Sequence, residues 1–351
     1  MSEHYFPRAR LPSLMRERTQ VIPNDVSEGL IVTQRAKHSA HVVTIGEAIC
    51  LNLQLYTAEN VEHALAVSDA CILHDVGHPP FGHKGESVLN EILNGYGGDF
   101  NHGDFAPEEA RRQGRSDLTV LLLEAKRDEE VQVAKIVHDW ADDISWTTVD
   151  LEEGVRLGYL DFNQEGIENL GIVQEAVKLA EELPIYRHGE KYSSTWNLWL
   201  ITDKLSNVLI DSIVFKPKNI DQKVPKLSNG TVLNGSFLMV EPVNSELIVL
   251  KEVLLNEFYA HHLINDFFHQ VPEIIKVVFE NRIRNFGLVS ESPLEIAEAV
   301  CLEICSLTEL ELVLEYQNLT GKTVELCKAP LREVPVNPGS EILAEMFRFD
   351  L

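Results

Sequence analysis

Residues 74–86, HDVGHPPFGHKGE, place three histidines, one aspartate and one glutamate within thirteen positions. Adjacent His74 and Asp75 cannot share one face of an ideal helix, but at a helix C-terminus both can reach one metal ion from the last turn and the turn after it. His78 follows three residues after Asp75, and Pro79 and Pro80 forbid continuation of the helix. Gly82 and Gly85 allow the chain to approach another group closely. His83 and Glu86 stand at i, i+3, so a helix starting there points both at one volume. A polar loop with surface histidines would account for any one of these residues alone, but not for the cluster. Imidazole and carboxylate donors together suit Mn, Fe, Zn or Mg, and the chemistry they offer is metal-assisted hydrolysis.

Such donors need rigid supports, and the flanking sequence provides them as helices. From Glu59 to His74 a stripe of Val61, Ala64, Leu65, Ser68, Cys71 and Ile72 predicts a helix that buries one face and ends on the His-Asp pair. Helical spacing also predicts helices over Leu30–Leu55, Leu118–Val149, Ile167–Leu183, Thr195–Val214 and Ser245–Glu280. Gly95–Asp104 is glycine-rich and reads as a loop, whereas Phe215–Phe237, rich in Pro, Gly, Asn and Lys, reads as an extended loop or hairpin. The expected fold class is therefore all-α, with strand signals confined to that last region.

The chain has 351 residues, 44% hydrophobic and 24% charged, enough for a large core in an ordinary globular protein. Its formal net charge of -25 argues against an extensive nucleic-acid surface. A small polyanion remains an acceptable substrate if a metal and a few local cations screen it. Five cysteines show neither metal spacing nor a disulfide framework. With no apolar span and no secretory h-region, a cytoplasmic location without a membrane segment is the expectation.

HDVGHPPFGHKGE resembles the signature of the HD phosphohydrolase superfamily, in the form of its deoxyguanosinetriphosphate triphosphohydrolase (dGTPase) branch. Other stretches extend the resemblance. Arg35-Ala36-Lys37-His38-Ser39 is similar to the family's R-x-x-HS, which implies that His38 is a metal ligand with Arg35 beside the phosphates. Asp142, Trp146 and Asp150 share one helical face at i, i+4 and i+8. The family pattern makes Asp142 the fourth metal ligand beside His38, His74 and Asp75, Asp150 the partner of the 3′-hydroxyl, and Trp146 the aromatic against the sugar, where a tyrosine is usual. Thr19-Gln20-Val21 resembles KTQVF, implying that Gln20 bonds the deoxyribose and Val21 crowds the 2′ position. Phe100-Asn101-His102 resembles the family's F-x-H, although the polar residues that usually follow are replaced by GDFAPEEARRQ. Arg111, Arg112 and Arg115 are candidates for phosphate contacts there. His41 reads as a surface residue or one behind the ligands, Asp143 as solvent-facing, and His261, His262 and His269 as surface or packing residues. The family's IAGMTDRYAL position holds LEICSLTELELVLEYQ, where only Thr308 and the following acid Glu309 correspond.

The resemblance implies one divalent ion per site, with His83 and Glu86 moving protons and His78 and His102 stabilising charge on the phosphate chain. It implies cleavage of a deoxynucleoside triphosphate, dGTP or a broader set, to deoxynucleoside and inorganic triphosphate. It also implies homo-oligomers and an effector nucleotide as an option. The organisation expected is an arm over 1–29, an HD core over 30–214, and a loop or hairpin with a helical extension over 215–351. Two alternatives stay open: a related hydrolase of nucleoside monophosphates or alarmones, and a non-catalytic nucleotide sensor.

Overall fold

The computed structural model describes residues 35–53, 61–124, 133–163, 166–190, 192, 195–217, 235–286 and 292–324. The described chain is all-α apart from one two-stranded hairpin. Helices α1 (Arg35–Asn52), α2 (Val61–Leu73) and α3 (Gly82–Asn94) lead through a 3-10 turn at His102–Asp104 to α4 (Phe105–Arg112) and α5 (Asp117–Glu124). The long α6 (Val133–Arg156), α7 (Gly171–Glu181) and α8 (Thr195–Asp211) follow. Strands β1 (Ile213–Pro217) and β2 (Gly235–Met239) then precede α9 (Val243–Val253), a π-helical turn at Leu254–Tyr259, α10 (His262–Phe268), α11 (Val271–Asn285), α12 (Pro293–Cys305) and α13 (Glu309–Thr320).

The core follows from apolar spacing. Val42, Ile45, Ile49 and Cys50 recur along α1 and are buried, so α1 lies against both α2 and α6. Val137, Ala141, Ile144, Leu151 and Val155 line the inner face of α6, which packs on α8 as well. The bundle α1, α2, α6 and α8 thus holds the start of α1, the end of α2 and the middle of α6 in fixed relation. A second packing unit, α11 with α12 and α13, closes against α3.

The hairpin pairs Ile213 with Met239 and Val214 with Leu238 in antiparallel register. The first pair is buried and the second exposed, the alternation of a sheet with one covered face. Among the described residues the helix predictions hold in type, with differences in continuity. The helix expected across Ser245–Glu280 is divided into α9, the π-helical turn, α10 and α11. Within 302–317 the chain also breaks, because Thr308 caps α13 in a reciprocal capping box with Glu311. No described helix is long and apolar enough to cross a membrane.

Candidate metal centre and catalytic cluster

Helix α2 ends at Leu73 and a tight turn follows, in which Val76 N–H donates to Leu73 O at 3.0 Å and His78 N–H to Asp75 O at 3.1 Å. His74 and Asp75 are therefore delivered from the helix terminus. Pro79 and Pro80 turn the chain, and Phe81 enters α3 with φ 65°, in the left-handed region. Phe81 is held there by burial, by an edge contact with Phe267 at 5.7 Å between ring centroids, and by Glu309 Oε1, which accepts its N–H at 3.2 Å. Gly85 has no room for a side chain, since a Cβ would stand 1.9 Å from Pro80 O.

Three helices converge on one volume. His38 Nε2 of α1 lies 3.0 Å from Asp142 Oδ1 of α6 and 3.8 Å from Asp75 Oδ2. His74 Nε2 lies 3.4 Å from Asp75 Oδ2 and 3.5 Å from Asp142 Oδ1. Metal bonds of about 2.1 Å separate neighbouring donor atoms by roughly 3.0–3.4 Å, so these spacings suit one ion. The imidazoles are also oriented for it. His74 Nδ1 lies 2.7 Å from Cys71 O, which requires a proton there and leaves Nε2 as the donor atom. His38 Nδ1 lies 3.2 Å from Ser145 Oγ, which in turn is 3.1 Å from His41 Nδ1. His41 thus stands behind His38, one of the two positions expected of it. Burial pushes the Asp142 carboxyl upward, but hydrogen bonds and charge from His38 and His74 outweigh it and hold the group well below the ordinary carboxylate range.

On the other side of Asp75 lies a second cluster. Glu86 accepts from His83 Nδ1 at 3.2 Å through Oε2, and from the ring and backbone of His102 at 2.7 and 3.0 Å through Oε1. These bonds overcome the upward effect of burial and keep Glu86 ionised well below the ordinary range. The His78 and His102 rings stack at 4.3 Å, and His102 Nε2 stands 4.0 Å from Asp75 Oδ1. The His83 side chain is 85% exposed, open to whatever approaches.

Along α6, Trp146 is half-buried and Asp150 is buried. Burial pushes the Asp150 carboxyl up to about 7, against the hydrogen bond from Tyr259 and the attraction of His38, and Glu153 adds to the rise. The Tyr259 hydroxyl donates to Asp150 Oδ2. Asp143 departs from expectation: it is half-buried, accepting from the Trp146 indole N–H at 3.1 Å and from the Lys251 ammonium, which also sits 5.4 Å from the Trp146 ring centroid. Lys251 and Tyr259 were not legible as site residues, because they stand in an unremarkable amphipathic stretch about a hundred positions from their partners.

The three arginines considered for phosphate contacts are otherwise engaged. Arg111 pairs with Glu108 and Glu124, Arg112 with Glu109, and Arg115 with Asp69. Arg111 and Arg112 sit beside acids of their own helix, and Arg115, between α4 and α5, beside an acid of α2, so their charge is already compensated. His261 packs, its ring 4.9 Å from Tyr159 and 4.6 Å from His262. Gln20 and Val21 lie outside the described residues, and so does the side chain of Arg35, whose backbone opens α1.

Residues 35–147 match the family model described as HD domain. That span includes both histidine clusters and Asp142, and stops short of Asp150. The chain is 25% identical to a deoxyguanosinetriphosphate triphosphohydrolase-like protein of Geobacter metallireducens, over 86% of this chain and 83% of the relative. A protein of the same name from Geobacter sulfurreducens is 27% identical over 76% and 72%, and one from Rickettsia peacockii 24% identical over 89% and 88%.

Proposed function

We propose, from the premise that this chain carries an HD domain and is similar over most of its length to dGTPase-like proteins, that it is a metal-dependent deoxynucleoside triphosphate triphosphohydrolase. The observation that carries the reading is the convergence of His38, His74, Asp75 and Asp142 with the Glu86-anchored histidines across Asp75. A hydrolase of the HD family is the coarser statement, supported by the family match and by the names of the relatives.

In this reading His38, His74, Asp75 and Asp142 hold a divalent ion, Mn, Mg, Fe or Zn, which supplies Lewis acidity toward a water and the α-phosphate. Water adds to the α-phosphorus, the bond from phosphorus to the 5′-oxygen breaks, and a proton reaches that oxygen, giving deoxynucleoside and intact triphosphate. Glu86 fixes Nδ1 of His83, so Nε2 is the atom that exchanges the proton. His78, His102 and Arg35 face the phosphate chain. Trp146 offers its indole face to the sugar, and Asp150, oriented by Tyr259, takes the 3′-hydroxyl. Gln20 and Val21 bond the deoxyribose and exclude a 2′-hydroxyl. The reading includes a 1–29 arm over the site, a core over 30–214, an extension over 215–351, assembly into homo-oligomers, and room for an effector nucleotide.

The test is a panel of the four dNTPs, the four NTPs, nucleoside monophosphates and an alarmone with Mn or Mg. Inorganic triphosphate from one or more dNTPs supports the reading and names the base. Turnover of monophosphates or alarmones alone replaces it with another HD phosphohydrolase.

A further inference from the structure

Helices α1 and α6 meet twice along one face. His38 and His41 stand one turn apart on α1, and Asp142 and Ser145 one turn apart on α6, so each helix presents an i, i+3 pair to the other. The first rung is His38 Nε2 with Asp142 Oδ1 at 3.0 Å, and the second is His41 Nδ1 with Ser145 Oγ at 3.1 Å. A diagonal joins the two rungs, because Ser145 Oγ also lies 3.2 Å from His38 Nδ1. Three polar groups thus run in line from His38 back to His41.

The place of the serine in this line is unusual for its helix. A hydroxyl inside a helix commonly bonds the carbonyl one turn back. Thr147 and Thr148 of α6 do so at 2.7 and 2.8 Å, and Thr202 and Ser206 of α8 at 3.1 Å each. Ser145 is fully buried and turns the other way: among the described residues its hydroxyl has the two imidazole nitrogens as partners.

One hydroxyl carries one proton, so Ser145 donates to one ring and accepts from the other. The direction follows from the metal centre. His38, His74 and Asp142 offer donor atoms within 4.8 Å of one another, and Nε2 is the His38 atom that faces Asp142 and Asp75. A neutral imidazole that offers Nε2 to a metal keeps its proton on Nδ1. His38 Nδ1–H then donates to Ser145, Ser145 donates to His41 Nδ1, and His41 carries its proton on Nε2. The opposite direction would leave a proton on His38 Nε2, the atom the ion needs.

We infer that Ser145 and His41 are positioning residues of the metal centre, a chain of two hydrogen bonds that fixes the tautomer and ring angle of His38 from behind. Such outer partners of a ligating histidine are worth about tenfold to a hundredfold in metal affinity. The inference rests on the metal-dependent reading above, but it is measured without any substrate.

The experiment loads the full-length protein, labelled with 15N-histidine, with diamagnetic Zn(II) at about pH 8, where imidazoles are neutral. NMR reads the tautomers, and competition with a chromophoric chelator reads Zn(II) affinity. In the loaded wild type, the ring signals that vanish in His41→Asn should be those of an Nε2–H tautomer. Ser145→Ala and His41→Leu should each weaken Zn(II) binding about tenfold or more, with unchanged circular dichroism. His41→Asn, whose Oδ1 can accept where Nδ1 does, should stay within about threefold of wild type. An Nδ1–H tautomer at His41 overturns the inference, and this readout needs no folded Ser145 variant. Wild-type affinity in Ser145→Ala, or equal losses in His41→Asn and His41→Leu, overturns it as well and leaves the proposed function standing. A wild-type chain that binds no Zn(II), Mn(II) or Mg(II) contradicts both readings.

Discussion

Glu86 Oε1 lies 2.7 Å from His102 Nδ1, sixteen positions along the chain, while Oε2 of the same carboxylate lies 3.2 Å from His83 Nδ1. One acid thus sets the tautomer of two histidines on the open side of the site. A carboxamide has only one acceptor atom, so Glu86→Gln must release one of the two rings. We expect kcat to fall about a hundredfold or more while KM stays within a few-fold, the range of a lost acid–base partner. Steady-state kinetics check this, and an equal rise in KM would place Glu86 in binding instead.

Gly85→Ala should destabilise the protein severely. The added methyl would meet Pro80 O at 1.9 Å, a backbone atom that cannot swing aside. A loss on the order of 3 kcal/mol or more is expected from backbone rearrangement in a tight site. Thermal melting of the variant measures it, and a midpoint within about a degree of wild type would show that the turn yields freely.

Asp150 predicts a pH signature. Its carboxyl, 3.8 by ordinary value, is pushed up to about 7 in the folded chain by burial. Between those values the folded state keeps a proton that the unfolded state has lost, so stability declines as pH rises through the window and levels off above it. Asp150→Asn removes that slope. The variant should gain on wild type from pH 4 to 7 and melt on the order of a few degrees higher at pH 8. Parallel melting curves for the two proteins across this range would contradict the assignment.

Lys251 tests the sugar and phosphate side. Its ammonium neutralises Asp143 beside the Trp146 ring. Lys251→Ala leaves that carboxylate uncompensated and should raise KM for a polyanionic substrate about tenfold, an effect of roughly 1.4 kcal/mol. Asp143→Asn in the same background should restore most of the loss, as a double-mutant cycle would read. Additive effects of the two substitutions would deny the coupling.

What was legible in the sequence was local. The His74–Glu86 stretch carries its turn residues, its ligands and its helix start in one run, so the chain's geometry there follows from Pro79, Pro80 and the helical spacing of His83 and Glu86. His38 and Asp142 were reachable only by resemblance, since nothing in the spacing of α1 and α6 says that they meet at 3.0 Å. Asp143 and Lys251 illustrate the remainder. An acid adjacent to a ligand reads as solvated until the π-helical turn packs on α6 and the end of α9 just before it brings a lysine there, and long-range pairing of that kind has no periodic trace. Arg115 meets Asp69 from a distant part of the chain in the same way, whereas Glu108 and Glu109 stand within one turn of Arg111 and Arg112 and mark those two pairings locally.

The most direct test of the central claim is the position of cleavage. Wild-type protein and Asp75→Ala, both loaded with Mn, are incubated with each dNTP and with ATP, and phosphorus NMR identifies the products. Inorganic triphosphate with free deoxynucleoside from wild type, and none from Asp75→Ala, is the predicted result. Pyrophosphate or orthophosphate as the first product, or triphosphate released undiminished by Asp75→Ala, would contradict the account.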